Sequence, residues 1–478
     1  MIKITAIDKP LAEAPQKYCR IILTEDTASW HRLVETKDGG LEYRMGAGKP
    51  GEWTVRTYRT LIRSIVQTAK SHQLERIALT IDTSASKKLE AMGSEWRQRT
   101  LAENLSLASY EFTRYKTKPK KEKLLVEILV CGISDKDAKG AFEDGLTIAE
   151  AANITRDIAN TGAHDMTPDA LAEATKTVFK GTKASVRIFN EKEILKRGMG
   201  LLHAVGKGAD DAPRFIIIEY WGAGKPTTAT KKNKNLKPII LIGKGITYDT
   251  GGLNVKPSGH MHDMHLDMSG GASVIGAISA AVELGLKKNI VGLIPAAENS
   301  VSATSMRAGD IATSLSGQTV EILHTDAEGR LVLADALTYA GQNYEPAFII
   351  DIATLTGAAL VALGQHASAF MTKDEALQAK LVTLGEESGD LVWPLPLWDE
   401  YKAPLKSHRA DISNIATNFS RFGGSIEGGT FLSFFAPKNV PWAHIDIAPR
   451  MDSIASDKLS KGATGEPVRL LVQLIKQS

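Results

Sequence analysis

From about residue 165 onward, short apolar runs of strand length alternate with stretches whose apolar positions recur at helical spacing. "KPIILIGKG" (237–245), "NIVGLIPAAE" (289–298), "AFIIDIATLTG" (347–357) and "WAHIDIA" (442–448) are continuous apolar runs, as expected of strands covered on both faces. Between them "GGASVIGAISAAVELGL" (270–286) and "RLVLADALTYAGQ" (330–342) carry the period of helices. The alternation predicts an α/β fold with a mostly parallel sheet covered by helices on both faces. "MTPDALAEAT" opens a further helix, with Thr167 as N-cap and Pro168 at its first position.

The first part of the chain is patterned differently. "TYRTLIRSIVQTAKSH" (57–72) is helical, and "RIALTID" (76–82) and "LLVEILVCG" (124–132) read as strands. A small α/β domain over 1–137 is expected. A connecting helix, seen in "AKGAFEDGLTIAEAANITRDIAN" (138–160), would fill 138–164, and the larger domain would occupy 165–478. No internal repeat is visible. "TTATKKNKNLK" (227–237) reads as an exposed loop.

Composition narrows the classes. The chain has 478 residues, 43% hydrophobic and 24% charged, enough for two domains with a large core. Its 58 basic and 55 acidic side chains leave +3, a balance that argues against a general nucleic-acid binder. The basic run "RYKTKPKKEK" (114–123) has no regularly spaced aromatics beside it and reads as a solvated loop. Two cysteines, Cys19 and Cys131, make no disulfide framework. No apolar run approaches membrane-spanning length, and "MIKITAIDKPLAEAPQ" lacks the apolar region of a signal peptide. A cytoplasmic location is expected.

The unusual charges collect where strands end and helices begin. Lys244, Asp249 and Lys256 follow one strand in "GKGITYDTGGLNVKP", Asp267 precedes one helix, and Asp326 and Glu328 in "HTDAEGR" precede another. In an extended chain, Asp326, Glu328 and Arg330 would point to one side. Sites in such sheets lie beyond the carboxyl ends of the strands, so these groups are expected to converge on one crevice. Singly, Asp249 could cap a turn, and Asp326 and Glu328 could favour a helix N-terminus. "GKG" lacks the context of a nucleotide-binding loop. Four carboxylates in one pocket carry four negative charges, which two divalent cations would cancel; Zn2+, Mn2+ and Mg2+ suit such oxygens. A lysine among them fits only as a neutral ligand, its pKa lowered by burial and metal charge. Lys256 and Arg330 remain to hold a developing oxyanion or an anionic base.

"GKGITYDTGGLNVKPS", "TDAEGRLVLADAL" and "ATLTGA" closely resemble the leucyl aminopeptidase (cytosol aminopeptidase) family, and "TDAEGRL" is highly specific to it. The likeness continues through "WPLPLWDEY" (393–401), "SHRADISN" (407–414), "RFGGSIEGGTFL" (421–432) and "WAHIDIAPRM" (442–451), covering essentially all of 150–478. The N-terminal part matches weakly. The resemblance implies a macro-like N-terminal domain, a catalytic two-metal peptidase domain and assembly as a homohexamer. It implies that Lys244, Asp249, Asp267, Asp326 and Glu328 hold two metals, Zn2+ or Mn2+, with Asp249 and Glu328 bridging them. A water between the metals would be the nucleophile, Lys256 would act on the scissile carbonyl or gem-diolate, and Arg330 would hold a bicarbonate as general base. The implied activity is removal of Leu- or Met-like residues from peptides with a free N-terminus, in a pocket lined by Met264, Thr354, Gly357, Ala448 and Met451.

Some positions depart from the family pattern. His324 stands where Asn is usual, Gly162 replaces a usual proline, and Pro449 stands where Gly commonly follows the Ala. His260, His262 and His265 lie near Asp267, but five matched ligands already fill two sites, so a surface loop is their expected place. Two other readings compete. One is nucleic-acid or ADP-ribose binding through the N-terminal domain, resting on 114–123 alone; the other is a two-metal phosphoesterase, which also clusters carboxylates.

Overall fold

The computed structural model describes residues 2–27, 30–37, 39–117, 124–227, 233–420 and 422–478. Residues 118–123 of the basic run and 228–232 of the 227–237 loop lie outside the described residues. The chain is an α/β protein packed as two units, one formed by 1–153 with 453–461, the other by 154–452 with 462–478. The helix Lys136–Asn160 runs from the first into the second.

The first unit is built on a six-stranded mixed sheet in the order Lys3–Ile7, Glu127–Cys131, Arg76–Leu79, Cys19–Thr24, Leu41–Gly46, His31–Glu35. All neighbours are parallel except the last pair. The helix Val55–Ser71 is begun by a reciprocal cap, in which Thr54 Oγ1 accepts from Thr57 N and Thr57 Oγ1 accepts from Thr54 N. Its buried face includes Ile62, Ile65, Val66 and Ala69, at the 3–4 spacing of an amphipathic helix. Cys19 and Cys131 are buried and unpaired.

The second unit holds a nine-stranded, mostly parallel sheet. Its central strands run in the order Ser368–Thr372, Trp442–Asp446, Phe348–Ala353, Ile239–Gly243, Asn289–Asn299, Arg214–Trp221. Ile239–Gly243 is wholly buried, as its continuous apolar run predicts. Helices cover both faces, with side chains alternating as a strand requires. On one face Val291 and Leu293 join a core with Leu333 and Leu337 of the helix Gly329–Asn343. On the other, Gly292 leaves room for Val274 and Ile278 of the helix Ser269–Glu283; a Cβ there would come within 2.6 Å of Ile278 Cδ1. Thr167 caps the helix Pro168–Phe179 as expected, its Oγ1 accepting from Ala170 N. Among the described residues no helix is long and apolar enough to cross a membrane.

One buried carboxyl group anchors the helix Gly329–Asn343 to its surroundings. Asp335 accepts from Leu201 N and Leu202 N at 2.9 Å, and from Leu315 N at 2.8 Å. These donors open the short helix Gly200–Gly206 and a loop, so one carboxylate satisfies three buried amides. Asp335→Ala would orphan them, at a cost of about 1–3 kcal/mol per group. Denaturant unfolding should therefore show a loss of about 3 kcal/mol or more, with a smaller loss for Asp335→Asn; a change below about 1 kcal/mol would contradict this account.

Candidate metal centre

Parallel strands deliver the charged groups to one end of the sheet. Lys244 directly follows Ile239–Gly243, and Asp249 ends the next strand, Gly245–Asp249. Asp267 sits in the single turn Met264–Met268 that leads into Ser269–Glu283. Asp326 and Glu328 precede the helix Gly329–Asn343, and Thr354 follows the strand Phe348–Ala353. Two close approaches need glycine. Gly251 has φ of +87°, and a Cβ there would lie 2.5 Å from the Asn254 carbonyl and 3.0 Å from Asp326 Oδ1. A Cβ on Gly329 would meet Lys244 Cε at 2.7 Å, so the helix start presses directly on the lysine stem.

The four carboxylates and two lysines meet as one buried cluster. Lys244 Nζ lies 2.7 Å from Asp267 Oδ2 and 2.7 Å from Glu328 Oε1, and donates to the Thr354 carbonyl at 3.0 Å. Lys256 Nζ lies 2.8 Å from Asp249 Oδ2 and 2.6 Å from Asp326 Oδ1. Lys244, Asp249, Asp267 and Glu328 are each at most 3% exposed. One carboxylate oxygen each from Asp249, Asp326 and Glu328 lie within 4.8 Å of one another, a spacing that fits a shared cation. Glu328 Oε2 is buried and accepts no hydrogen bond among the described residues. Four acids against two ammonium groups leave two negative charges in surplus, and the orphaned oxygen lies among them. This donor set fits hard divalent cations.

The electrostatics express the same surplus. Burial and the neighbouring carboxylates push Asp267 up to about 8, although Lys244 pulls it down. Burial, then Asp249 and Glu328, push Asp326 up to about 7. Glu328 is raised by burial and by Asp249. Burial alone would lower the Lys244 ammonium, but Asp267, Glu328 and Asp249 outweigh it and hold it above its ordinary value. Lys256 is likewise held up, chiefly by Asp249 and Glu328. Lys244 is thus a counter-ion to the acids when no cation is bound. A cation among the same oxygens would oppose that field and favour the neutral amine.

Neutral groups fix the acids. Thr354 Oγ1 donates to Asp267 Oδ1 at 2.6 Å, and Asn299 Nδ2 to Asp249 Oδ1 at 2.8 Å. Asp249 Oδ1 also accepts from Gly251 N at 2.9 Å, so it caps a turn and faces the cluster at once. Glu328 is the N-cap of its helix but makes no side-chain capping bond; its carboxylate turns to Lys244 instead. Residues 322–328 form no strand, so side-chain alternation does not apply to "TDAEGR". Arg330 Nη1 donates to the Asn414 carbonyl at 2.6 Å and to Glu427 Oε1 at 3.0 Å.

Three residues without a sequence signal of their own shape the site. Asn414 accepts from Leu323 N at 2.8 Å and donates to the His324 carbonyl at 2.7 Å, clipping the loop that carries Asp326. Asp446 accepts from Leu355 N, Thr356 N and Oγ1, Ser425 Oγ and Ala448 N. It thereby gathers the loop before Gly357, the turn Ala448–Arg450 and the helix Gly424–Ser433. Glu427 is the third. Of the expected pocket residues, Thr354 belongs to the cluster, and exposed Gly357 starts a helix packed on the Ala448–Arg450 turn. Met264 begins the turn bearing Asp267, and Met451 follows Arg450. His324 Nδ1 accepts from Asp326 N at 3.3 Å. His260 and His262 are exposed, and His262 pairs with Asp263 at 2.9 Å. None of the three histidines near Asp267 joins the cation-spaced group.

Residues 153–472 match the model of the cytosol aminopeptidase family, catalytic domain, and residues 44–119 that family's N-terminal domain. A probable cytosol aminopeptidase of Pseudomonas aeruginosa is 44% identical over 436 residues, covering 90% of this chain and 84% of the relative. One of Paraburkholderia phymatum is 38% identical over 434 residues, covering 90% and 82%. Among solved structures, a mutant of tomato leucine aminopeptidase superposes with a TM-score of 0.86 at 28% identity, covering 100% of this chain and 97% of that one. The bottromycin maturation enzyme BotP in complex with Mn gives 0.84 at 30% identity, covering 96% and 98%. With both family domains matched, and with carboxylates and lysines gathered at the sheet's carboxyl end, the chain belongs to the cytosol aminopeptidase family and is a leucyl aminopeptidase-type metallo-exopeptidase.

Proposed function

We propose that the chain hydrolyses the first peptide bond of peptides with a free N-terminus, favouring Leu- or Met-like first residues, with two divalent cations per chain. The surplus of buried carboxylate over ammonium, with Glu328 Oε2 orphaned, carries this reading. Asp249, Asp267, Asp326, Glu328 and neutral Lys244 would hold the cations, Asp249 and Glu328 serving both. Mn2+ is one candidate, since BotP was solved with Mn, and Zn2+ is the other. When bound, such ions supply Lewis acidity and lower the pKa of water.

The chain's own residues do the rest. Lys256, held by two carboxylates, keeps a charged ammonium beside the cluster and is placed to stabilise the oxyanion. Thr354, Asn299 and Asn414 keep the acids in register, so the reacting groups need no search. Met264, Thr354, Gly357, Ala448 and Met451 would receive an apolar first side chain. Assembly as a homohexamer and work in the cytoplasm rest on the family likeness.

Three outcomes test this. Prolonged chelation should abolish leucyl-anilide hydrolysis and Mn2+ or Zn2+ should restore it, while the N-acetylated substrate should not turn over; equal cleavage of both substrates would refute exopeptidase action here. Rate should rise with pH toward an α-amine pKa of about 8, because only the neutral amine can act as a ligand.

Lys256→Ala should retain its metal, read by elemental analysis, yet lose about 10²–10³ in kcat. Unchanged kcat would remove Lys256 from the chemistry.

In metal-free protein, Asp267 and Asp326 bind protons more tightly folded than unfolded, where an aspartate has a pKa of about 4. Their stabilising protonation is complete below that value and lost as pH rises through about 7 and 8. The melting temperature in chelator should therefore fall as pH rises from about 4 to about 8 and level off above, a window set by the unfolded value and those two folded ones. Saturating Mn2+ should flatten that slope; a slope that chelator leaves flat would contradict the charge surplus.

A further inference from the structure

The family likeness places a bicarbonate on Arg330, but in this chain the guanidinium already faces an anion. Arg330 Nη1 donates to Glu427 Oε1 at 3.0 Å, and Glu427 Oε2 accepts from Ala416 N at 3.0 Å. The two side chains are 6% and 14% exposed, so the pair is largely withdrawn from solvent. Both oxygens of Glu427 are held, one by a charge and one by the backbone. Glu427 also lies in the first turn of the helix Gly424–Ser433, where free N–H groups favour a carboxylate. The next residue shows how closely that turn is seated. A Cβ on Gly428 would lie 2.8 Å from Leu355 Cδ2 and 3.5 Å from Arg330 Nη2. The turn bearing Glu427 therefore rests on both the guanidinium and the loop after Thr354.

Bicarbonate fits this arrangement poorly. The charge of Arg330 is already matched at hydrogen-bond distance, and the same Nη1 also donates to the Asn414 carbonyl. A second anion on that guanidinium would meet the Glu427 carboxylate at short range, in a largely buried site where like charges repel strongly.

We propose that Glu427 is the resident anion of Arg330, and that this chain works without bicarbonate. Glu427 acts as a positioning residue. It holds the guanidinium against the 414–416 segment, and through Asn414 it holds the loop that carries Asp326. The negative charge that a relative with an open guanidinium would recruit from solution is here part of the chain. The proposal rests on reading the carboxylate cluster as the peptidase site.

The test measures leucyl-anilide hydrolysis by the Mn2+-loaded full chain in carbon-dioxide-depleted buffer, with and without added bicarbonate. Melting temperature is recorded alongside, as a binding readout independent of turnover. The parent should show the same rate and melting temperature in both buffers. Glu427→Ala should lose about 10–100-fold in rate without bicarbonate. Added bicarbonate should restore much of that rate and raise the variant's melting temperature. Glu427→Gln keeps the shape and the bond from Ala416 N without the charge, and it serves if the alanine variant fails to fold; it too should lose rate, and the parent should remain indifferent. A parent whose rate or melting temperature rises with bicarbonate would overturn the proposal. So would a folded, metal-loaded Glu427→Ala whose rate bicarbonate does not recover. A parent inactive on leucyl-anilide in every buffer would instead strike the peptidase reading, and its melting temperature with bicarbonate would still report on the anion site.

Discussion

Like-charge repulsion in a buried pocket is the constraint that the second unit is arranged around. Among the described residues, Asp249, Asp267, Asp326 and Glu328 have Lys244 and Lys256 as their ion-pair partners, and all but Asp326 are buried. Nothing local would keep four acids together, so the scaffold must. A parallel sheet does this by carrying successive strand ends to one edge, where loops from separate parts of the chain are forced to meet. Fully buried strands such as Ile239–Gly243 and Trp442–Asp446 supply the rigidity that resists the repulsion.

Around the charges lies a layer of hydrogen bonds from neutral or backbone groups. Thr354 and Asn299 each hold one carboxylate, Asn414 holds a loop from both sides, and Thr325 ties the glycine-rich segment by accepting from Asn254 N at 2.8 Å. Asp446 accepts hydrogen bonds from three segments and so fixes them to one another. Such partners orient ligands without adding to the charge surplus. They also explain how small residues near the cluster come to matter: a Cβ at Gly329 would displace the Lys244 stem.

Much of this was legible in the chain alone, for physical reasons. Strand and helix periods are local, so the core strands and the helices after Ser269 and Gly329 could be read from apolar spacing. Charges at strand ends are conspicuous because parallel strands are otherwise apolar, and this singled out Lys244, Asp249, Asp267, Asp326 and Glu328. The alternation in "TDAEGR" carries no facing information here, because a two-residue period means one face only in a strand, and here the chain turns. Glu427 and Asn414 lie in stretches that carry the family likeness, but nothing local marked what either side chain does. Each acts on a segment some 90 positions distant in sequence, and a lone Glu in a helix turn looks like an ordinary N-terminal charge. Asp446 hid inside a strand pattern, where its five partners cannot be seen.

The Asn414 clip bears on how the enzyme is made. All five candidate ligands lie between positions 244 and 328, so a growing chain holds the complete set before Asn414 and Asp446 are made. Yet the loop carrying Asp326 is fastened by a side chain some 90 residues further on, and the segment after Thr354 by Asp446 later still. A nascent chain that has emerged only as far as the last ligand lacks both fasteners. Contacts of such long sequence separation form late, after the loop-closure entropy has been overcome. A chain ending before Asn414 and Asp446 would carry all five candidate ligands but lack both fasteners. For a protein that cuts exposed N-termini, the late position of both fasteners would make a held site depend on a nearly full-length chain.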